Sequence, residues 1–98
     1  MSDLCGEIEK FGKSIGSVPR YRIVEALCAG PKTVSELATK TKLSQPLVSQ
    51  HLRVLKEGGL VHDERQGQEV QYTLNTKHVM DLLKRLAGEL RPKGVAKQ

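Results

Sequence analysis

The segment from Leu43 to Leu74 constrains the fold of this chain more than any other part of its sequence. Ser44 is a good helix N-cap, and Pro46 suits the first turn of a helix. Apolar residues then recur at helical spacing until Gly58-Gly59, which is a typical helix end. Two short runs with strand character follow. This order predicts a helix followed by a β-hairpin wing, which is typical of a DNA-reading unit. The residues of this helix that we expect to face the core are Leu47, Val48, Leu52 and Leu55.

Three more helices are predicted ahead of this segment. The first carries apolar residues at helical spacing from Leu4 to Ile15, and the second begins near Pro19. Thr33 and Glu36 form a capping box that predicts the start of a short third helix. The apolar face expected on the second helix consists of Tyr21, Val24, Leu27 and Cys28.

The predicted wing consists of strands over Leu60–Arg65 and Glu69–Leu74, with Tyr72 packed against the core. A last helix begins after Asn75 and closes at Arg91-Pro92. The predicted fold is therefore mainly α with a small β-hairpin, a winged helix-turn-helix with the order α-α-α-α-β-β-α. We expect residues 1–92 to form one DNA-binding and dimerisation domain and residues 93–98 to be a disordered tail.

Length and charge indicate one small domain with a polyanionic partner. A chain of 98 residues makes one small domain. Its formal net charge of +5 and its pI of about 9.4 favour a polyanionic partner. No apolar run is long enough to span a membrane, and the N-terminus lacks the pattern of a secretory signal. Two cysteines do not make a disulfide scaffold, which indicates a reducing cytoplasm.

The third helix, a tight turn and the fourth helix together predict a helix-turn-helix. In this motif the second helix enters the major groove, with its N-terminal residues against the base edges. Gln can bind adenine with two hydrogen bonds, Ser can bond to several bases, and Lys and Arg contact phosphates. The residues expected to contact DNA from the turn and the helix are Lys40, Lys42, Ser44, Gln45, Pro46, Ser49, Gln50, His51 and Arg53, joined by Arg65, Gln66 and Gln68 of the wing.

From about Arg20 to Leu86 the chain resembles the ArsR/SmtB family of bacterial winged-helix repressors. The resemblance implies a homodimer formed by the first and last helices, an inverted-repeat operator in double-stranded DNA, and release from DNA when an effector binds. It also implies a DNA contact for His51, for which packing at the helix surface is the alternative. The matching segments are Val34–Ala38, Leu43–Leu55, Gly59–Val61, Arg65–Gly67 and Tyr72–Leu74.

Because members of this family often sense metals, we compared the known ligand positions with this sequence. A thiol-rich site on the third helix requires cysteines near Ser35–Thr39, and the sequence has none there. On the last helix only His78 and Glu89 are candidate ligands, whereas zinc generally takes four. We therefore predict no metal site and no cofactor.

The two cysteines leave a thiol-based alternative open. Cys5 and Cys28 together would form a redox or thiophilic-metal sensor if the two residues met within or between protomers. The plainer expectation is that Cys28 is a small buried residue and that Cys5 is an exposed thiol near a helix end. His62, at the start of the wing, is expected to face solvent.

An enzyme is not indicated. The sequence contains no glycine-rich phosphate loop, no Gly-x-Ser-x-Gly and no His-Glu-x-x-His motif. A winged helix can also serve as a protein-interaction module without DNA readout, and this is the second alternative. The sequence does not decide between repression and activation, nor does it identify an effector.

Overall fold

The structure, a computed structural model, describes residues 3–90. Its element order is α-α-β-α-α-β-β-α, which confirms the five predicted helices and the predicted hairpin. The closing pair Arg91-Pro92 and the predicted tail lie outside the described residues. The elements are α1 (Leu4–Ile15), α2 (Val18–Leu27), β1 (Lys32–Thr33), α3 (Val34–Thr41), α4 (Gln45–Glu57), β2 (Val61–Gln66), β3 (Glu69–Leu74) and α5 (Thr76–Glu89).

The sheet contains one strand that the sequence did not predict. Strand β1 pairs antiparallel with β3, with Lys32 opposite Tyr72 and Thr33 opposite Gln71, so the sheet order is β1-β3-β2. A two-residue strand is too short to show alternation. Only its tertiary pairing defines it.

The turn before the wing also differs from the prediction. Leu60 precedes β2 instead of starting it, because Gly59 adopts a left-handed conformation with φ of 82°. Leu60 is nevertheless fully buried, and its carbonyl accepts a hydrogen bond of 2.7 Å from the backbone N–H of Asn75. This bond holds the wing's root against the start of α5.

The core is built where α2, α3 and α4 pack together under the root of the wing. Tyr72 is half-buried and packs against this core, as predicted. The fully buried aliphatic side chains at its centre are Ile23, Leu37, Val48, Leu52, Leu55 and Leu60.

Three residues predicted to face the core do not. Helix α2 buries Ile23 and Ala26 together with Val24 and Leu27, whereas Tyr21 is 51% exposed and Cys28 is exposed at the C-cap. Leu47 is 37% exposed in the first turn of α4. In α2, packing against the neighbouring helices turns the buried face toward Ile23 and Ala26, whereas in α4 the other three predicted core residues are buried and only Leu47 departs.

Side chains from α2 and α5 fix the position of α1. The Arg20 guanidinium donates hydrogen bonds to the carbonyls of Ser14 at 2.6 Å and Lys13 at 3.2 Å, at the end of α1. Near the other end, Arg85 of α5 donates two hydrogen bonds to the Glu7 carboxylate, at 3.2 and 3.1 Å. The Arg85 guanidinium lowers the pKa of Glu7 below its ordinary value.

Candidate nucleic-acid interface

Local interactions build the helix-turn-helix. The Thr33 hydroxyl accepts from the Glu36 N–H, and the Glu36 carboxylate accepts from the Thr33 N–H, which completes the predicted capping box. At the other end of α3, the buried Thr41 hydroxyl donates to the Leu37 carbonyl at 2.7 Å. Lys42 then turns the chain in a left-handed conformation with φ of 63°, and Ser44 caps α4 through the Leu47 N–H. The turn is therefore fixed by its own residues.

Helix α4 has one face in the core and one face in solvent. Val48, Leu52 and Leu55 are buried, and the side chains between them project away from the domain. Every predicted contact residue in the turn and in α4 except His51 is exposed: Lys40, Lys42, Ser44, Gln45, Pro46, Ser49, Gln50 and Arg53. The structure thus places together the hydroxyl, amide and guanidinium groups that can bond to base edges and phosphates.

The exposed face of α4 continues into a cleft beside the wing. Ser49, Gln50, Arg53 and Lys56 line this cleft from the helix, and Tyr72 lines it from β3. Sequence reasoning did not single out Lys56. Its ammonium lies 2.9 Å from the carboxylate of Asp63 on β2, an ion pair that raises the pKa of Lys56 and lowers the pKa of Asp63.

The wing tip is exposed. Gly67 has φ of 66° in the turn between β2 and β3, and Arg65 approaches the Gly67 carbonyl at 3.5 Å. The side chains of Arg65, Gln66 and Gln68 all face solvent, as does His62 lower on the same strand. The wing tip therefore has one cation and two amides available for a partner.

His51 differs from the other predicted contact residues. It is half-buried, and this burial together with the positive charge of Arg20 lowers its pKa from the ordinary value of 6.5. Sequence reasoning did not single out Arg20, since its hydrogen bonds to the end of α1 arise only in the folded chain. The packing role considered for His51 is thus present in the structure, and its contact with DNA stays a prediction.

The residues considered as sensors are spread over other parts of the fold. Cys5 and Cys28 are both free thiols and both exposed. The exposure of Cys28 corrects the expectation that it is buried, because α2 ends at Leu27 and leaves Cys28 at the helix terminus. His78 lies beside Gly59, and Glu89 is exposed near the end of α5. Within residues 3–90, no three His, Cys, Asp or Glu side chains gather into a group suited to a metal ion.

Among residues 3–90, no helix combines the length and the apolar character that a membrane span requires.

Comparisons with known proteins agree with this geometry. Residues 18–63 match the family model described as "Bacterial regulatory protein, arsR family". The transcriptional repressor SdpR of Bacillus subtilis is 35% identical over 70% of this chain and 77% of its own length.

Two solved structures are also similar to the fold. HlyU from Vibrio cholerae superimposes with a TM-score of 0.72 at 32% identity, over 88% of this chain and 97% of that one. A homodimeric winged helix-turn-helix DNA-binding domain from Mycobacterium bovis superimposes with a TM-score of 0.72 at 28% identity, over 91% of this chain and 89% of that one. The family model, the curated relative and the shared fold lead to one conclusion: the chain belongs to the ArsR/SmtB family of bacterial winged-helix transcriptional regulators, a family of regulators and not of enzymes.

Proposed function

We propose that this protein is a cytoplasmic repressor that binds an inverted-repeat operator as a homodimer and leaves it when an effector binds. The observation that carries the proposal is the exposed face of α4. There Ser49, Gln50 and Arg53 line one cleft, between a cationic turn and an exposed wing tip. Such a face suits the major groove, where direct contacts to bases confer sequence preference.

The proposed contacts divide into two groups. Ser44, Gln45, Ser49 and Gln50, with Pro46 beside them, meet base edges, because they occupy the N-terminal turns of α4. The cationic and wing residues bind the phosphate backbone and position the helix. The second group consists of Lys40, Lys42, Arg65, Gln66 and Gln68, whereas His51 and Arg53, further along α4, serve a base edge or a phosphate.

Two variants separate the groups by what each should change. Gln50→Ala removes a base-reading amide, so we expect a loss of about 1–3 kcal/mol on the preferred operator and much less on other sequences. Lys42→Asn removes a phosphate contact while tolerating the left-handed backbone, so we expect an equal loss on all sequences and a shallower salt dependence.

The measurement is fluorescence anisotropy on DNA from upstream of the protein's own gene, with random competitor DNA present. If Gln50→Ala weakens binding equally on all sequences, its role in base readout is wrong. If the wild type shows no specific DNA binding, the alternative of a protein-interaction module is favoured instead. The binding of a protein partner by such a module would also lack the steep loss of affinity with rising salt that DNA contacts show.

A thiol-based sensor is the second candidate, and the exposure of both free thiols favours it. The same titration with a thiol oxidant tests it, on the wild type and on Cys5→Ser and Cys28→Ser. Loss of binding in the oxidised wild type, but not in the serine variants, would identify the thiols as the sensor. Binding that the oxidant leaves unchanged would rule this sensor out.

A further inference from the structure

A second basic surface lies where α2 meets the helix-turn-helix. It is a cleft of about 510 Å³ between α2 and the turn that joins α3 to α4. Arg22 lines it from α2, Lys40 lines it from the last turn of α3, and Lys42 lines it from the turn that follows. We call these three residues and their cleft the α2 cleft.

The floor of the α2 cleft is open because two of its lining residues are alanines. Ala26 comes four positions after Arg22 on the same face of α2, and Ala29 follows just beyond the end of the helix. Neither side chain extends beyond Cβ. The cleft therefore admits a group between the helix and the turn, with the three long cationic side chains at its rim.

The cations of this cleft are uncommitted. The structure gives Arg22, Lys40 and Lys42 no side-chain hydrogen bond and no ion pair with any residue between 3 and 90. The cleft contains one acidic side chain, Glu25, against three cations. Its charge is thus positive and available to an anion.

The backbone at Lys42 adds an independent observation. Its φ of 63° is a conformation that glycine and asparagine adopt most readily. Most helix ends of this kind carry glycine. A lysine at this position therefore places a cation at the turn in spite of the backbone preference.

We propose that the α2 cleft binds a phosphate of the DNA backbone, which makes Arg22 a DNA contact and extends the interface from α4 onto α2. This inference rests on the proposed function. The choice of DNA follows from continuity, because Lys42 lies two residues before Ser44, the cap of the helix that enters the groove. The Arg22 guanidinium suits this ligand, since its planar donors match two phosphate oxygens.

The test is the salt dependence of DNA binding by Arg22→Gln, measured by fluorescence anisotropy on the operator and on random DNA. We expect a loss of about tenfold that is the same on both DNAs. The slope of log affinity against log salt should become shallower by about 0.9 for each phosphate lost, once in each protomer. Lys77→Gln is the matched control, because it removes one positive charge from an exposed position at the start of α5.

A second variant tests the sign of the effect. Glu25→Gln removes the acid of the α2 cleft, so we expect tighter binding to both DNAs. The inference is overturned if Arg22→Gln behaves like Lys77→Gln while the wild type binds its operator, and the proposed function then stands. It is also overturned if Glu25→Gln binds no more tightly than the wild type. If the wild type binds no DNA, the proposed function and the inference fail together.

Discussion

At the residue scale, Arg20 connects two parts of the molecule that are far apart in the sequence. Its guanidinium satisfies two carbonyls at the end of α1, which otherwise have no partner within their helix. The same charge acts on His51, where it adds to the effect of burial in lowering the pKa. Burial and the Arg20 charge thus both favour the neutral form of the His51 ring, on the edge of the proposed DNA-reading helix.

The lowered pKa of His51 predicts a pH-dependent stability. Because the folded-state pKa lies below the unfolded value of 6.5, the unfolded chain binds more protons between the two values. The contribution of His51 to the free energy of unfolding is therefore constant above that range and decreases as the pH falls through it. Urea unfolding at about pH 7.5 and about pH 5.5 measures how much the free energy of unfolding decreases on acidification. We expect this decrease to be smaller for His51→Gln than for the wild type. His62→Gln, on the exposed wing, is the control, and an equal change in both variants would contradict the assignment.

Two glycines predict opposite responses to alanine. A Cβ added at Gly58 would overlap the Ser14 hydroxyl and lie 2.8 Å from the Ser14 Cβ, whereas one added at Gly12 meets nothing within 4 Å. We expect Gly58→Ala to lower the free energy of unfolding by about 1–3 kcal/mol through overpacking. Gly12→Ala should raise it by about 0.5–1 kcal/mol, because glycine is unfavourable inside a helix. Urea unfolding measures both, and a Gly58→Ala protein as stable as the wild type would show that α1 and α4 separate easily.

These residues also show where prediction from sequence succeeds and where it fails. The caps at Thr33, Ser44 and Asn75 were predictable because each depends on residues three positions away. The bonds of Arg20 were not, since they depend on how α1 and α2 fold back on each other. The exposure of Cys28 was missed for a similar reason, as the rotation of α2 is set by the helices that it packs against.

At the scale of elements, the same division holds. Helix α4 and the β2–β3 hairpin carry their own periodicity and turn signals, and both were predicted. Strand β1 carries no signal of its own and exists only through β3. Most residues of the candidate interface could be named from the sequence because they lie on α4, beside its start or at the wing tip, whereas Lys56 and Arg22 required the folded neighbours to be known.

The attachment of α1 to α5 predicts a second pH dependence. The bond from Arg85 favours the charged form of Glu7, so its folded-state pKa is lowered below 4.5. Its stabilising contribution is therefore present above that value and disappears as the pH falls through the folded-state pKa. We expect Glu7→Gln to have a lower Tm than the wild type at neutral pH, and the difference to shrink below about pH 4.

Glu9→Gln is the control for this prediction, because among residues 3–90 Glu9 pairs only within α1, with Lys13 at 3.3 Å. Such an exposed pair contributes little to stability. A Tm for Glu9→Gln as low as that for Glu7→Gln would mean that the connection between the two helices has no special effect.

At the scale of the whole molecule, one side of α5 and its end is not covered by any residue between 3 and 90. Met80 is 48% exposed, Leu83 is 44% exposed and Leu90 is 70% exposed. A small domain that leaves large apolar side chains exposed has a surface for another protein. The similar domain from Mycobacterium bovis is a homodimer, which supports a second copy of this chain as the partner on this surface.

This surface predicts a charge-sensitive dimer. Leu83→Glu places a carboxylate on the exposed apolar side of α5, so we expect it to shift the protein from dimer to monomer in sedimentation equilibrium. Operator affinity should fall with it, since a monomer contacts one half-site. Lys77→Glu, which places a carboxylate at another exposed position on the same helix, should remain dimeric. A dimeric Leu83→Glu protein would place the interface elsewhere.

Thr33 has two structural roles at once. It is the last residue of β1, opposite Gln71 of the wing, and it is also the cap on which α3 begins. No residue lies between the sheet and the helix-turn-helix, so the wing and α3 are joined without a hinge. We therefore expect the wing to keep its position relative to α3, so that, under the proposed function, an imperfect operator has to bend to fit the protein. Discrimination among operators should then include the stiffness of base pairs that no side chain touches.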